Sequence, residues 1–496
     1  MTSTTHTTLT NVNERSIRII LGIKLRQYRL ARQLSLTQLA QVSGVSVSYL
    51  TEIEKAKKYP KPEKLSAIAT ALQVSYGDLT SLDLDRKLAP LVGLLNSNIL
   101  DELPLDLFGL DTGKLMEFFL TAPDKIGAFL QTIIQLMRLY EMDVEQFFFS
   151  ALRAYQELKN NYFEELETSA EAFWEQFGPP TDTQLTRYLT HTLGITLNHE
   201  RLLDYPDLEG LRSFWSADQR TLYLNPKLNQ QQYRFVLARE AGFHLLKLDP
   251  RPDTFSYVKP SSFEIILNNY KASYFAGALL MQPKAIVQDF QRLLSEPVWQ
   301  EARLRGLLYK YEASPEMLLH RLTSLAPRFL GLSNLFFLRF SDKGRIDKYQ
   351  ITKELHLSGL HSPHANLRYE HYCRRWISLE VLKSVAQNPD KAPVIGIQQS
   401  KYLDSGKAYL VLAAARPMFP TQGENCSVSI GFELNEETYQ KIKFLDQIPE
   451  IIVNETCERC TLSSCRVRQF DPVVWERKEQ NRRKSKAIKA LKKATS

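Results

Sequence analysis

The chain has 496 residues, 44% hydrophobic and 24% charged, with a formal net charge of +8. That length allows two to four domains with cores of their own, and the composition is that of an ordinary soluble globular protein. No run approaches the ~18 consecutive apolar residues of a membrane span. The five cysteines are too sparse, and odd in number, to make a disulfide framework.

The charge is uneven. Residues 15–64 hold 11 Lys/Arg against three Glu, and residues 476–496 hold nine against two, which leaves the rest at −7. Two basic ends around an acidic middle suggest a polyanionic partner for the ends and another task between them. The Thr-rich start, MTSTTHTTLTNVNE, lacks a basic-then-apolar signal pattern. Residues 1–14 are therefore expected to be a disordered leader of a cytoplasmic protein.

Residues 15–82 predict five short amphipathic helices. The first spans about Ile17 to Arg32, and a second follows Ser35 in SLTQLAQVS. A third follows the SGVS turn, and two more lie beyond Pro60 and Pro62. Ser35 and Ser46 stand where N-caps belong, and Gly44 suits the tight turn. Leu39, Ala40, Val45, Leu50 and Ile53 would pack the pair of helices together. This stretch resembles the phage-repressor-like (XRE) helix-turn-helix family, which implies a second helix laid in the DNA major groove. Carried over by position, Val47, Ser48, Tyr49 and Glu52 would face base edges, while Ser46, Lys55, Lys57 and Lys58 would meet phosphates. One departure is Leu36, where many members carry a phosphate-contacting Gln.

Residues 83–178 read as a connector followed by a helical linker or dimerisation region. Val144, Phe148, Ala151, Tyr155, Leu158 and Tyr162 recur at steps of four and three. That seam serves either a helix packed on its own domain or a dimer-forming helix. GPP at 178–180 ends it.

A mixed region, 179–328, follows, with a hairpin in FWSADQRTLYLN and a helix at residues 235–248, FVLAREAGFHLLKL. A zinc-peptidase helix needs H-E-x-x-H, with two His one turn apart on one face and a Glu to activate the metal-bound water. Laid on this helix, the pattern puts Arg239 and Phe243 at the His places and keeps only Glu240. Arg offers no lone pair, Phe has no donor, and His244 is rotated ~100° off the required face. The surroundings resemble the ImmA/IrrE-type metallopeptidase domain, whose later helix supplies a Glu as third ligand. Here that helix, NNYKASYFAGALLM, offers Asn269 and Lys271. The segment thus reads as a degenerate scaffold, and the chain as not an enzyme. A metallopeptidase acting on a repressor is the rival reading.

From about Leu330 the period changes to two, and residues 329–472 predict an α+β domain with hairpins at DKG and DSG turns. CERCTLSSC places Cys457, Cys460 and Cys465 as C-x2-C-x4-C, a spacing able to chelate one metal centre, with Cys373 or Cys426 as candidate fourth ligand. Iron–sulfur and zinc both suit thiolates. A separate zinc site among His356, His361, His364 and His371 is a further option, against a solvated or ligand-lining loop. The basic run 473–496 serves either DNA affinity through counterion release or solubility.

The order of these parts resembles the short-chain fatty-acyl transcriptional regulators of propionate and acetate metabolism. Their sensor domain carries C-x-x-W, here Cys373 to Trp376, and ends in C-x-x-C-x4-C. The resemblance implies a multidomain, mainly α chain, with short-chain acyl-CoA or CoA as effector. It also implies a [4Fe–4S] cluster on Cys373, Cys457, Cys460 and Cys465. Arg368, Arg374 and Arg375 would meet the CoA phosphates. The partners expected are a double-stranded DNA operator with two half-sites and a second copy of the chain, in a homodimer or higher homo-oligomer. A purely redox-responsive iron–sulfur regulator is a further alternative.

Overall fold

A computed structural model describes residues 14–81, 144–254, 260, 262–344, 348–357, 370–388, 390, 393–421 and 423–494. His361, His364 and Arg368, the connector and most of the linker lie outside them. The chain divides into two compact units, residues 1–151 with 261–263, and 152–260 with 264–496. No helix among the described residues is long and apolar enough to cross a membrane.

The first unit holds the five expected helices: α1 (Glu14–Ala31), α2 (Leu36–Ser43), α3 (Val47–Glu54), α4 (Pro62–Leu72) and α5 (Tyr76–Thr80). Ser35 closes a full capping box with Gln38, and Ser46 accepts from the Tyr49 amide. Gly44 sits at φ 67° between them, a left-handed backbone that L side chains avoid. Leu39, Val45, Leu50 and Ile53 are buried together, with Ala40 packed at the edge. Two features escaped the sequence reading. Gly22 lets α1 approach α3 so closely that a Cβ would lie 2.8 Å from the Ile53 carbonyl oxygen. Beside it, Arg29 makes a buried two-pronged ion pair with Glu54, at 2.6 and 3.0 Å.

The unit boundary runs through α6 (Val144–Leu158), which α7 (Glu164–Phe177) follows. The expected seam does not run its whole length. α6 stops at Leu158, which is exposed, and Asn160 and Asn161 turn the chain through positive φ. Tyr162 therefore leaves the helical register and packs on the main core, while Phe148 and Tyr155 are buried. Gly178 then ends α7, as GPP implied.

In the second unit, α8 (Asp182–Arg187) leads to a small sheet. Its strands are β1 (Thr196–Asn198), β2 (Ser213–Ser216) and β3 (Thr221–Leu224), with β3 central. α9 (Gln230–Leu245) and α10 (Phe263–Leu280) carry the two stretches that resemble a zinc-peptidase domain, followed by α11 (Pro283–Ser295), α12 (Glu301–Lys310) and α13 (Pro315–Leu330). The period-two region forms a six-stranded sheet of β4 (Leu335–Ser341), β5 (Gln350–His356), β6 (Val394–Tyr402), β7 (Ala408–Pro417), β8 (Asn425–Glu433) and β9 (Glu450–Val453), in the order β5-β4-β8-β7-β6-β9. Every pair is antiparallel except β6–β9.

Alternation along the strands assigns two faces. Leu410, Leu412 and Ala414 join the core built with α11–α13. Tyr409 and Val411 face Cys373, Trp376, Leu379 and Leu382, and Ala413 and Ala415 face Val381 and Val385. The helix on that second face is α14 (Ile377–Gln387), and a short α15 (Glu436–Lys441) precedes β9. The basic run is a 22-residue helix, α16 (Val473–Ala494), with no buried residue. Strong helix formers and Glu479 bridging Arg482 and Arg483 one turn on account for it.

Candidate DNA interface and cysteine site

The capping of α3 fixes which side chains it can offer a duplex. Leu50 and Ile53 point into the core, so Val47, Ser48, Tyr49 and Glu52 lie on the outer face, with Lys55, Lys57 and Lys58 at the exposed C-terminal end. Not all are idle. Ser46 has its oxygen committed to the cap. Lys58 pairs with Glu52 at 2.8 Å, and Lys64 stands 4.1 Å above the Tyr49 ring. The carboxylate raises the Lys58 pKa, first by hydrogen bonding and then by charge. Lys64 is a cation of this face that sequence reasoning passed over. Only its position one turn into α4 could have signalled it.

On α9, Glu240 is 1% exposed. Arg251 grips it with both terminal guanidinium nitrogens, at 2.8 and 2.7 Å, and His244 Nε2 lies 3.0 Å away. Burial alone would raise this carboxyl. The hydrogen bonds from Arg251 and His244 and their charges override it and hold the group at about 2. Arg251 lies 3.9 Å from the centre of the Phe243 ring and 5.0 Å from that of Trp215. A guanidinium thus supplies the positive charge beside the Glu that a metal supplies in a zincin. Of the two candidates for the third ligand place, Asn269 and Lys271, it is Asn269 that meets Arg239, which donates to its side-chain oxygen at 2.5 Å. None of Arg239, Phe243 and Asn269 can stand in for the imidazole and carboxylate ligands of a zinc site. Arg251 itself was not foreseen, because it lies beyond the helix in a loop.

The cysteines are set by two backbone segments zipped together. Cys373 N–H donates to the Glu455 carbonyl, Cys457 N–H to that of His371, and the Trp376 indole to that of Asn454. Glu370 receives Arg459 at 2.6 and 2.9 Å. Arg468 threads the C-x-x-C loop and donates to the carbonyls of Cys457, Cys460 and Leu462, at 3.0, 3.1 and 2.7 Å. Cys373, Cys457, Cys460 and Cys465 line one small cavity, together with Arg374, Arg375 and Arg468. Cys426 is elsewhere, buried on β8 opposite Arg416. Burial pushes the Cys373 thiol up to about 11, against backbone amides of Asn454 and Arg375 that favour its thiolate, while Cys457 and Cys460 push it further up.

The chemistry of this donor set fits a thiolate-bound centre: four soft donors, an apolar floor of Ile452, Val453 and Leu462, and amide N–H groups aimed at sulfur. As they stand, no group of three or more His, Cys, Asp or Glu among the described residues is placed to hold a metal ion. Of the histidines, His356 is on β5 near Glu354, whereas His371 contacts Glu458 at 2.7 Å and stacks on Phe470. They belong to two separate places.

A capped two-helix reader with an exposed polar face defines a DNA-binding transcription regulator of the helix-turn-helix type. Comparison with known proteins agrees: residues 25–79 match the helix-turn-helix family, and residues 191–323 match the IrrE N-terminal-like domain. The HTH-type transcriptional regulator PrpR of Mycobacterium tuberculosis is 23% identical over 90% of this chain and 91% of its own length. The transcriptional regulator ClgR of the same species is 41% identical over 58 residues, 12% of this chain and about half (52%) of its own. A solved structure of a Mycobacterium tuberculosis transcriptional regulator aligns with 64% of this chain and 92% of that one, at 19% identity and a TM-score of 0.47.

Proposed function

We propose that this regulator controls short-chain fatty-acid metabolism, reading an acyl-CoA and redox state through its C-terminal domain. The observation that carries the proposal is the convergence of four cysteines, from two distant segments, on one cavity walled by Arg374 and Arg375. Cys373, Cys457, Cys460 and Cys465 would hold a [4Fe–4S] cluster, which would supply one-electron redox chemistry (zinc in its place would be structural). Arg468 would keep the loop shaped for it. Arg374 and Arg375 would bind effector phosphates, so effector and thiols share a wall and each can bias the other's surroundings. An effector that prefers one arrangement of the sensor shifts the population toward it, and with it the spacing of two paired readers on a two-half-site operator.

The degenerate zincin segment then acts as scaffold, and the chain is a regulator, not a peptidase. Anaerobic purification with absorbance and iron/sulfide analysis tests the thiol site. A colourless protein carrying one zinc would make the cysteines structural. Calorimetry with propionyl-CoA on the loaded protein tests the effector, and no heat across a range of acyl-CoAs would leave a purely redox-responsive regulator.

A further inference from the structure

A second cavity, of about 190 Å³, opens between α9, α10, the first half of α13, the middle of β5 and the end of β7. Its walls carry Arg212, Arg239, Lys353 and Arg416 against a single lining carboxylate, Glu316. Arg321, also on the wall, is neutralised by a buried pair with Glu167. Glu316 is shared: Arg339 lies 3.3 Å from it and Lys353 3.9 Å. Ser314 caps α13 at the same wall, so the positive end of that helix dipole adds to the field. Burial, then repulsion from Arg251, lowers Arg239 to about 9, and burial brings Arg212 to about 10 with Arg339 and Arg416 opposing its charge. His320, on the wall, is pushed down to about 3 by burial first and stays neutral.

Like charges are not gathered in a half-buried cleft without cost, and an anion in their midst offsets it. We propose that this cavity binds a small polyanionic metabolite, a di- or tricarboxylate or a phosphate ester of roughly a dozen non-hydrogen atoms. Arg239 and Asn269, two positions where the resemblance to a zinc peptidase would put ligands, are part of its wall. Exchanging an imidazole for a guanidinium there inverts what the cleft prefers: lone pairs for a dication become N–H donors for an oxyanion. The cavity is too small to enclose a whole coenzyme and shares no lining residue with the thiol cavity. It is thus a second small-molecule site, independent of the acyl-CoA reading.

The test is calorimetry on the full chain with citrate, glycerol 3-phosphate and inorganic phosphate. A charged hydrogen bond of about 1.5–3 kcal/mol means about a tenfold or greater loss of affinity in Arg212→Gln and in Arg416→Gln. Arg374→Gln should leave binding unchanged. Arg416→Lys, which keeps the charge, should stay within a few-fold of the parent and so separates lost binding from lost folding. Citrate bound in this pattern assigns carboxylates, and glycerol 3-phosphate bound in it assigns phosphate esters. No heat from any of the three up to about 10 mM, binding indifferent to both Gln variants, or equal loss in Arg374→Gln would overturn the proposal.

Discussion

Removing the guanidinium that grips Glu240 is the sharpest test of what holds that buried carboxylate in α9. Arg251→Met takes away two charged hydrogen bonds and leaves a carboxyl that is 1% exposed with His244 alone. Breaking such a pair costs about 3–5 kcal/mol. The depressed acidity supplies a second figure: a drop from 4.5 to about 2 corresponds to about 3 kcal/mol at about 1.4 kcal/mol per pH unit. At roughly 2–4 °C per kcal/mol for a domain of this size, the melting temperature at pH 7 should fall by about 10 °C. The sign with pH follows. In the parent, the folded value lies below the unfolded one, so this stabilisation is complete above about pH 4.5 and is lost as pH falls toward 2. In Arg251→Met the stranded carboxyl titrates higher, so the gap between parent and variant should narrow on acidification from pH 7 to 5. Glu240→Leu with Arg251→Met, which removes both charges, should cost less than Arg251→Met alone. Calorimetric melts with hydrogen exchange across residues 230–255 measure all of this. A single variant costing under about 1 kcal/mol, or a double variant worse than the single, would refute the buried-pair reasoning.

Glu54→Ala should strand Arg29 inside the reader at a cost of about 3–5 kcal/mol. Duplex affinity should be lost at 37 °C and regained on cooling, as seen by circular dichroism and anisotropy, and unchanged melting would contradict it. Ser48→Ala and Glu52→Ala should relax operator choice, whereas Lys57→Ala should weaken all duplexes alike and reduce the salt slope by about one. Equal effects from all three would count against the assigned face. Arg468→Ala should free the C-x-x-C loop, and in metal-free protein Cys457 and Cys460 should react with a thiol reagent about tenfold faster or more. An unchanged rate would show that the loop holds its shape without the Arg468 clasp.

The local chemistry of the reader was legible in the chain, because caps, a turn glycine and five apolar positions act over a few residues. Ser35, Ser46, Gly44 and Leu50 therefore stand where their spacing put them. The period-two hairpins were legible for the same reason. What pattern could not supply was anything made by distant partners. The seam at 144–162 looked continuous, yet Asn160 and Asn161 break it, since periodicity carries no record of positive φ. Arg251 reaches Glu240 from a loop, and Arg468 clasps carbonyls of the segment before it. The resemblance already named Cys373 rather than Cys426 beside the other three, but the backbone bonds from residues 371–373 to residues 455–457 that bring it there join distant segments. The second cavity gathers cations from residues 212, 239, 353 and 416. Only the tertiary fold makes them neighbours, because charge and donor geometry act through space while sequence records order along the chain.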